Sequence, residues 1–174
     1  MSTRLRTSPL IAPEADRAYP IARLAAGVTL AQWRAFVSRR TGDDSFRSGI
    51  LVVQDARDYI LGLGSYYVAE ELGHGSVMVV DKLFALDMMG GEFVSRLLLR
   101  HLVRLAREQG FCAVETHLPA TDVEIHGRAD SLLRLMREDG HQVGEICTML
   151  DLGQSKENVS FLPAPAIRRV AKGG

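Results

Sequence analysis

The feature that most constrains the fold is an amphipathic helix pattern between two apolar, strand-like runs. Residues 83–110 read LFALDMMGGEFVSRLLLRHLVRLAREQG, and apolar side chains recur there at the i, i+3/i+4 spacing of a helix laid on a sheet. These side chains are Phe93, Val94, Leu97, Leu98, Leu102 and Leu105. GSVMVVDKLFAL precedes the helix and FCAVETHL follows it. A strand-helix-strand order of this kind predicts parallel pairing of the two strands.

Further elements are predicted on both sides of this unit. GILVVQDARDYILGLGSYYVAEEL holds two β-rich runs around a polar turn, which predicts a meander of three antiparallel strands together with GSVMVVDKLFAL. YPIARLA predicts a first strand, and Thr29 and Gln32 have the capping-box spacing that begins a helix over GVTLAQWRAFVSRR. GRADSLLRLMREDG predicts a later helix, and HQVGEICTMLDL one or two last strands. The order indicates an α/β fold with a mixed, mostly antiparallel central sheet flanked by helices.

Composition indicates one domain of an ordinary globular protein. The chain has 174 residues, of which 47% are hydrophobic and 24% charged. We predict an extended or disordered N-terminal arm over residues 1–18, a folded domain over residues 19–152 and a partly disordered tail over residues 153–174. The termini carry prolines and small residues, which disfavour regular structure.

Charge and cysteine content limit the expected partners and compartment. Twenty-one basic residues balance 21 acidic ones, so neither nucleic acid nor a membrane surface is an expected partner. No apolar run reaches the roughly 18 residues that cross a bilayer. Cys112 and Cys147 lie in apolar runs without metal-ligand spacing, and we expect buried thiols in the cytoplasm. Edge strands of the sheet make a homodimer an expectation.

Residues 80–99 carry a resemblance to a known family. VDKLFALDMMGGEFVSRLLL follows, without a gap, a pattern in which a strand of the form V-D-x-L-x-T leads into R-G-x-G-x-G and a helix with paired leucines. Gly91 falls on the first glycine, and Leu98 and Leu99 fall on the leucine pair. In these residues and in the order of elements, the chain resembles the GCN5-related N-acetyltransferases. The resemblance implies their fold and an N-acyltransferase that moves an acetyl group from acetyl-CoA to a small-molecule or protein amine, without a metal.

The signature of the family is only partly present. Gly90 replaces its arginine, Phe93 its second glycine and Ser95 its third. Met136, in LMREDGH, stands where the family has a tyrosine that protonates the leaving thiolate. A second hypothesis is therefore a catalytically degenerate binding or regulatory protein with the same fold. A third keeps the cleft for a different acyl donor or ligand.

The resemblance also implies a cofactor site, for which a plain helix start is the alternative. It would run along Leu83, Phe84 and Ala85 and then use the amides of the glycine pair and the first helical turn. Those residues are Gly90, Gly91, Glu92, Phe93, Val94, Ser95 and Arg96. The first amides of a helix have no intrahelical partner and can donate to a pyrophosphate. In the alternative, Glu92 only favours the helix dipole and Phe93 faces the core.

Polar residues inside apolar runs are the candidates for catalysis. Acetylation of an amine needs a base, and in the implied fold the reacting centre lies between the splayed fourth and fifth strands. Asp81 and Glu115 are candidate bases there, and His117 titrates closest to neutral pH. Each has a structural alternative: Asp81 as a surface pair with Lys82, Glu115 as a solvent-facing residue and His117 as a structural histidine.

Aromatic residues gather in the region that forms the acceptor side of the cleft in that family. They are Trp33, Phe36, Tyr66 and Tyr67, and all four could equally belong to the core. Because Tyr66 and Tyr67 are adjacent in a strand, they must point to opposite faces of the sheet. At most one of the two is expected to reach a cleft.

Overall fold

A computed structural model describes residues 5–42, 47–73, 75–86, 93–118, 128–138 and 140–142. All of them lie in one compact unit, residues 1–142. In chain order the elements are β1 (Arg6–Pro9), a 3-10 turn (Ala12–Glu14), α1 (Ala15–Ala26), α2 (Leu30–Arg40), β2 (Ser48–Gln54), β3 (Ile60–Glu71), β4 (Gly75–Ala85), α3 (Phe93–Glu108), β5 (Ala113–Thr116) and α4 (Arg128–Glu138). None of the described helices is both long and apolar enough to cross a membrane.

The five strands form one sheet in the order β1-β2-β3-β4-β5. Strands β1 to β4 pair antiparallel with their neighbours, whereas β4 and β5 pair parallel. Helix α3 makes the connection between these two parallel strands, as such a connection requires. The predicted fold class, the three-stranded meander and the strand-helix-strand unit are confirmed.

Two apolar clusters cover the two faces of the sheet. We call the face under α1 and α2 the front, where Trp33 and Val37 pack with Ile50, Val52 and Leu63. The face under α3 and α4 is the back, and it holds the larger cluster. Its fully buried members include Val53, Met78, Val80, Leu98, Leu102 and Leu135. Alternate residues of β2 to β4 go to opposite faces, as expected for strands buried on both sides.

Helix α3 lies close to β3 because that strand carries glycines beneath it. A Cβ atom added to Gly62 would lie 2.6 Å from Cγ1 of Val94 and 2.9 Å from Cδ1 of Leu98. Gly62 pairs with Ala85, the last residue of β4. The absent side chain therefore lets the first turns of α3 settle next to the end of β4, where the candidate site lies.

The N-terminal segment is ordered, which corrects two predictions. Residues 6–18, assigned to an arm, form β1, the 3-10 turn and the first turn of α1, and their order comes from pairing with β2 and from burial of Leu10. YPIARLA lies within α1 and is not a strand. Ala18, Ile21 and Ala22 are buried on one side of this helix, which ends at Gly27 in the left-handed conformation.

Two side chains are more exposed than predicted. Phe93 does not face the core, because it is 75% exposed at the first position of α3. Cys112 is an exposed thiol, since it precedes β5 and does not belong to the strand. The predicted capping box is confirmed: the Gln32 amide donates to Oγ1 of Thr29 and the Gln32 side chain accepts from the Thr29 amide.

Several predictions lie outside the described residues. They are the glycine loop with Gly90, Gly91 and Glu92, the last strands in HQVGEICTMLDL beyond residue 142, the tail over residues 153–174, and Cys147.

Candidate functional site

Strands β4 and β5 pair over four residues and then separate. Residues 77–80 of β4 face residues 113–116 of β5, and the His117 amide donates to the Val80 carbonyl at 2.9 Å. Beyond this bond, residues 82–85 of β4 pair with β3 and with no other described strand. We call this point the fork. The outer edge of β4 past the fork offers peptide groups to an extended ligand.

A β-bulge marks the fork on β4. Tyr66 pairs with Val80 and Ser65 pairs with Lys82, so Asp81 is an extra residue with no partner on β3. Bulges of this kind re-aim a side chain next to a site. Here the bulge turns the Asp81 carboxylate to the front face, towards α2.

The Asp81 carboxylate is held by Arg40, the last residue of α2. Arg40 Nη2 lies 2.7 Å from Asp81 Oδ2, and the Arg40 and Asp81 side chains are only 21% and 14% exposed. The Arg40 guanidinium also lies over the rings of Tyr67, at 4.7 Å, and Phe36, at 5.4 Å. Among the described residues, Lys82 Nζ donates to the Asp81 carbonyl and forms no ion pair with the Asp81 carboxylate, so the predicted surface pair between these two side chains is wrong.

One oxygen of the same carboxylate is unused. Asp81 Oδ1 is buried and has no hydrogen-bond partner among the described residues. A buried carboxylate oxygen without a donor carries a free-energy cost, and such groups call for an explanation. The arrangement leaves one fixed anionic acceptor on the front side of the fork.

Glu115 and His117 form the second polar pair at the fork. His117 Nε2 lies 2.5 Å from Glu115 Oε1, and both side chains are about 40% exposed, at 40% and 39%. Tyr67 pairs with Val79, and Val79 pairs with Glu115, so these side chains share the front face with Asp81. Glu115 therefore has His117 as a hydrogen-bond partner while its side chain stays partly exposed to solvent. The structure brings all three predicted catalytic candidates to one side of the fork.

The residues of the predicted cofactor site divide between core and surface. Leu83 and Val94 are buried in the back cluster, and Phe84 packs against the front cluster, so β4 offers a ligand mainly its backbone. Ser95 and Arg96 are half-buried on the first turn of α3, and Arg96 lies 3.3 Å from Glu138 of α4. Arg96 thus places a cation in the first turn of α3.

Met136 and Tyr66 lie in the back cluster, whereas Tyr67 and Trp33 lie on the front side of the sheet. Met136 is 5% exposed beside Leu135, so its position offers no proton donor. Tyr66 points to the back and Tyr67 to the front, as their adjacency requires. Burial raises the pKa of Tyr66, so its phenol stays protonated. This phenol lies on the back face, opposite the three catalytic candidates. Trp33 is a core residue whose Nε1 donates to the Ala15 carbonyl.

Sequence reasoning missed Arg40. Basic residues in the last turn of a helix are common because they favour the helix dipole, so Arg39 and Arg40 gave no distinct signal. Within the described part of the chain, no group of three or more His, Cys, Asp or Glu side chains could hold a metal ion.

Comparison with known proteins gives a match in structure but none in sequence. No family model matches the chain, and no curated protein matches its sequence. An aminoglycoside N-acetyltransferase in complex with CoA superposes with a TM-score of 0.69 at 9% identity, over 87% of this chain and 96% of that one. A ribosomal-protein-alanine N-acetyltransferase from Brucella melitensis gives 0.65 at 13% identity, over 86% and 100%. Glucosamine-6-phosphate N-acetyltransferase from Arabidopsis thaliana gives 0.63 at 10%, over 86% and 99%. The chain has the fold of the GCN5-related N-acetyltransferases, as the resemblance implied.

Proposed function

We propose that the protein is an acyl-CoA-dependent N-acyltransferase that moves an acetyl group from acetyl-CoA to an amine. The observation that carries the proposal is the fork, where one edge of β4 pairs with no described strand and lies beside Asp81, Glu115 and His117. Structures of the same fold belong to N-acetyltransferases, one of them in complex with CoA, and this supports the choice of donor.

This edge of β4 suits the donor. Acyl-CoA has an extended arm with two amide groups, which can pair with unpaired peptide groups of a strand. Residues 81–85 supply that edge, and their apolar side chains are committed to the two clusters. The close approach of α3 at Gly62 places helix amides near the end of this edge, where a pyrophosphate would bind. Leu83, Phe84, Ala85 and the start of α3 therefore remain the proposed donor site, with Gly90, Gly91 and Glu92 in its loop.

The reaction needs few protein groups. The amine nitrogen attacks the thioester carbon, so the C–N bond forms, the C–S bond breaks and the sulfur takes the electron pair. A base removes one proton from the amine, and the proposed candidates are Asp81, Glu115 and His117 on the front side of the fork. A thiolate is a fair leaving group at neutral pH and takes its proton from solvent. Burial of Met136 therefore does not forbid the reaction.

Two measurements test the proposal. Calorimetry with acetyl-CoA reports donor binding, and release of free CoA thiol reports transfer. We propose three amines as acceptors, taken from the names of the proteins of the same fold: an aminoglycoside, a peptide with N-terminal alanine and glucosamine 6-phosphate. We expect acetyl-CoA to bind and one of the amines to accelerate thiol release. Absence of binding at millimolar acetyl-CoA would overturn the proposal.

Arg96 and Arg104 offer a matched pair of variants on one helix. Arg96 lies in the first turn of α3, whereas Arg104 is exposed in its second half beside Glu108. Arg96→Ala should weaken acetyl-CoA binding about fivefold, which is about 1 kcal/mol, the size of a surface charge near a helix start. Arg104→Ala should bind as the unchanged protein does. If both variants bind acetyl-CoA equally more weakly, the nucleotide part of acetyl-CoA does not bind at the start of α3.

A binding or regulatory protein of the same fold is the second candidate. It is favoured by Met136, which is buried where the family has its proton-donating tyrosine. Tight binding of acetyl-CoA without amine-dependent thiol release would select this candidate.

A further inference from the structure

We propose that His117 is the base of the acyl transfer, that its Nδ1 atom takes the proton, and that Glu115 is the positioning residue that leaves Nδ1 free. The inference deepens the proposed function and rests on it. The contact between Nε2 of His117 and Oε1 of Glu115, at 2.5 Å, carries it.

The chemistry of this contact decides which ring nitrogen is available. An ionised carboxylate has no hydrogen to donate, so the hydrogen in the bond must belong to Nε2. A neutral imidazole carries one hydrogen, so Nδ1 is then a bare acceptor. In the part of the chain that the structure describes, the ring of His117 has Glu115 as its partner and Nδ1 meets no donor.

The backbone holds the pair at the place where the donor and acceptor would meet. The His117 amide donates to the Val80 carbonyl in the last bond that joins β5 to β4. Glu115 is fixed two residues earlier by its pairing with Val79. The imidazole therefore lies at the fork, on the face that also carries Arg40, Asp81 and Tyr67.

Asp81 is the competing base, and its contacts disfavour it. Its Oδ2 atom is already bonded to Arg40, so a proton taken up by this carboxylate weakens a charge-assisted bond. His117 has the opposite response, since a positive imidazolium gains attraction from Glu115 at its other nitrogen. In the step itself, the amine proton moves to Nδ1 as the C–N bond forms and the C–S bond breaks. The imidazolium then gives its proton to solvent.

A spectroscopic test can be made without an acceptor amine. In protein labelled with 15N-histidine, the two ring nitrogens of His117 can be told apart, and His117→Gln identifies its signals. At a pH where the ring is neutral, we expect the hydrogen on Nε2 and none on Nδ1. Glu115→Ala should shift the ring to a mixture of tautomers, whereas Glu115→Gln should keep it, because an amide oxygen also accepts from Nε2. A hydrogen on Nδ1 in the unchanged protein would overturn the inference.

A kinetic test uses acetyl-CoA with the best amine of the panel. His117→Gln should lower kcat/KM by about 100-fold or more, as loss of a general base does. Glu115→Ala should lower it about tenfold and Glu115→Gln by less, which a merely structural glutamate would not explain. His101→Gln is the matched control on α3, away from the fork, and should leave the rate unchanged.

The outcomes separate this inference from the function on which it rests. If the unchanged protein does not bind acetyl-CoA, the proposed function is wrong. If the unchanged protein transfers the acetyl group and His117→Gln keeps at least half of the rate, only the assignment of His117 as the base is wrong.

Discussion

The two halves of β4 show how one strand provides both a core and a site. Residues 77–80 have strands on both sides, and all four are buried: Val77, Met78, Val79 and Val80. Residues 81–85 have β3 on one side and no described strand on the other, and Leu83 alone among them is buried. Burial falls at the same residue where pairing with β5 stops. A sheet can therefore keep its stability in one half and leave peptide groups for a ligand in the next.

The largest difference between the halves is expected from side-chain truncation. Met78→Ala removes a fully buried side chain and should lower the free energy of unfolding by about 3 kcal/mol. Lys82→Ala, four residues later on the exposed side, should change it by less than about 0.5 kcal/mol. Urea unfolding of both variants measures the contrast. Similar losses in the two variants would contradict the division of the strand.

A smaller effect on the free energy of unfolding should come from the ion pair between Arg40 and Asp81, which joins the second half of β4 to α2. Arg40→Ala leaves the Asp81 carboxylate without its donor in a largely buried place, and we expect a loss of about 2 kcal/mol in the free energy of unfolding. Arg34→Ala is the control. Arg34 lowers the pKa of Asp16 through a hydrogen bond, but both side chains are more than half exposed, at 58% and 54%, and solvent screens them.

A double-mutant cycle sharpens this prediction. If the pair itself is responsible, Asp81→Ala should cost much less in the Arg40→Ala background than alone. Additive losses would show that Arg40 acts through its ring contacts with Phe36 and Tyr67.

The smallest effect on stability is expected at Phe93, where the donor site would continue. Because its ring is 75% exposed, Phe93→Ala should change the free energy of unfolding by no more than about 0.5 kcal/mol. The neighbouring Val94→Ala removes about two buried methylene equivalents and should cost about 1.6 kcal/mol. Under the proposed function, Phe93→Ala should also tighten acetyl-CoA binding in calorimetry, since the ring occupies space that the family leaves open. Weaker acetyl-CoA binding by Phe93→Ala would instead show that the Phe93 ring contacts the donor.

Local sequence signals predicted some elements and failed for others. The start of α2 was predictable because Thr29 and Gln32 bond to each other's backbone within one turn. YPIARLA was misread because a short apolar run fits a strand or a helix equally well. The helix is favoured by long-range burial of Ala18, Ile21 and Ala22, which no local pattern reports.

The candidate site was predictable only in part. Asp81, Glu115 and His117 interrupt apolar runs, and the order of strands brings them to one end of the sheet. Arg40 is 41 residues from Asp81, and no spacing in the sequence relates the two. Phe93 fits the apolar period of α3, but it is the first residue of the helix, and its ring is 75% exposed there.

The bulge at Asp81 has a consequence for how such a chain can change by deletion. Residues 82–85 and 75–80 of β4 each keep a partner on β3, and Asp81 is the residue between them that has none. Excision of Asp81 would restore regular pairing and keep Leu83 on the back face and Phe84 on the front. A single lost codon could thus remove the carboxylate and the role of Arg40 while the protein goes on folding.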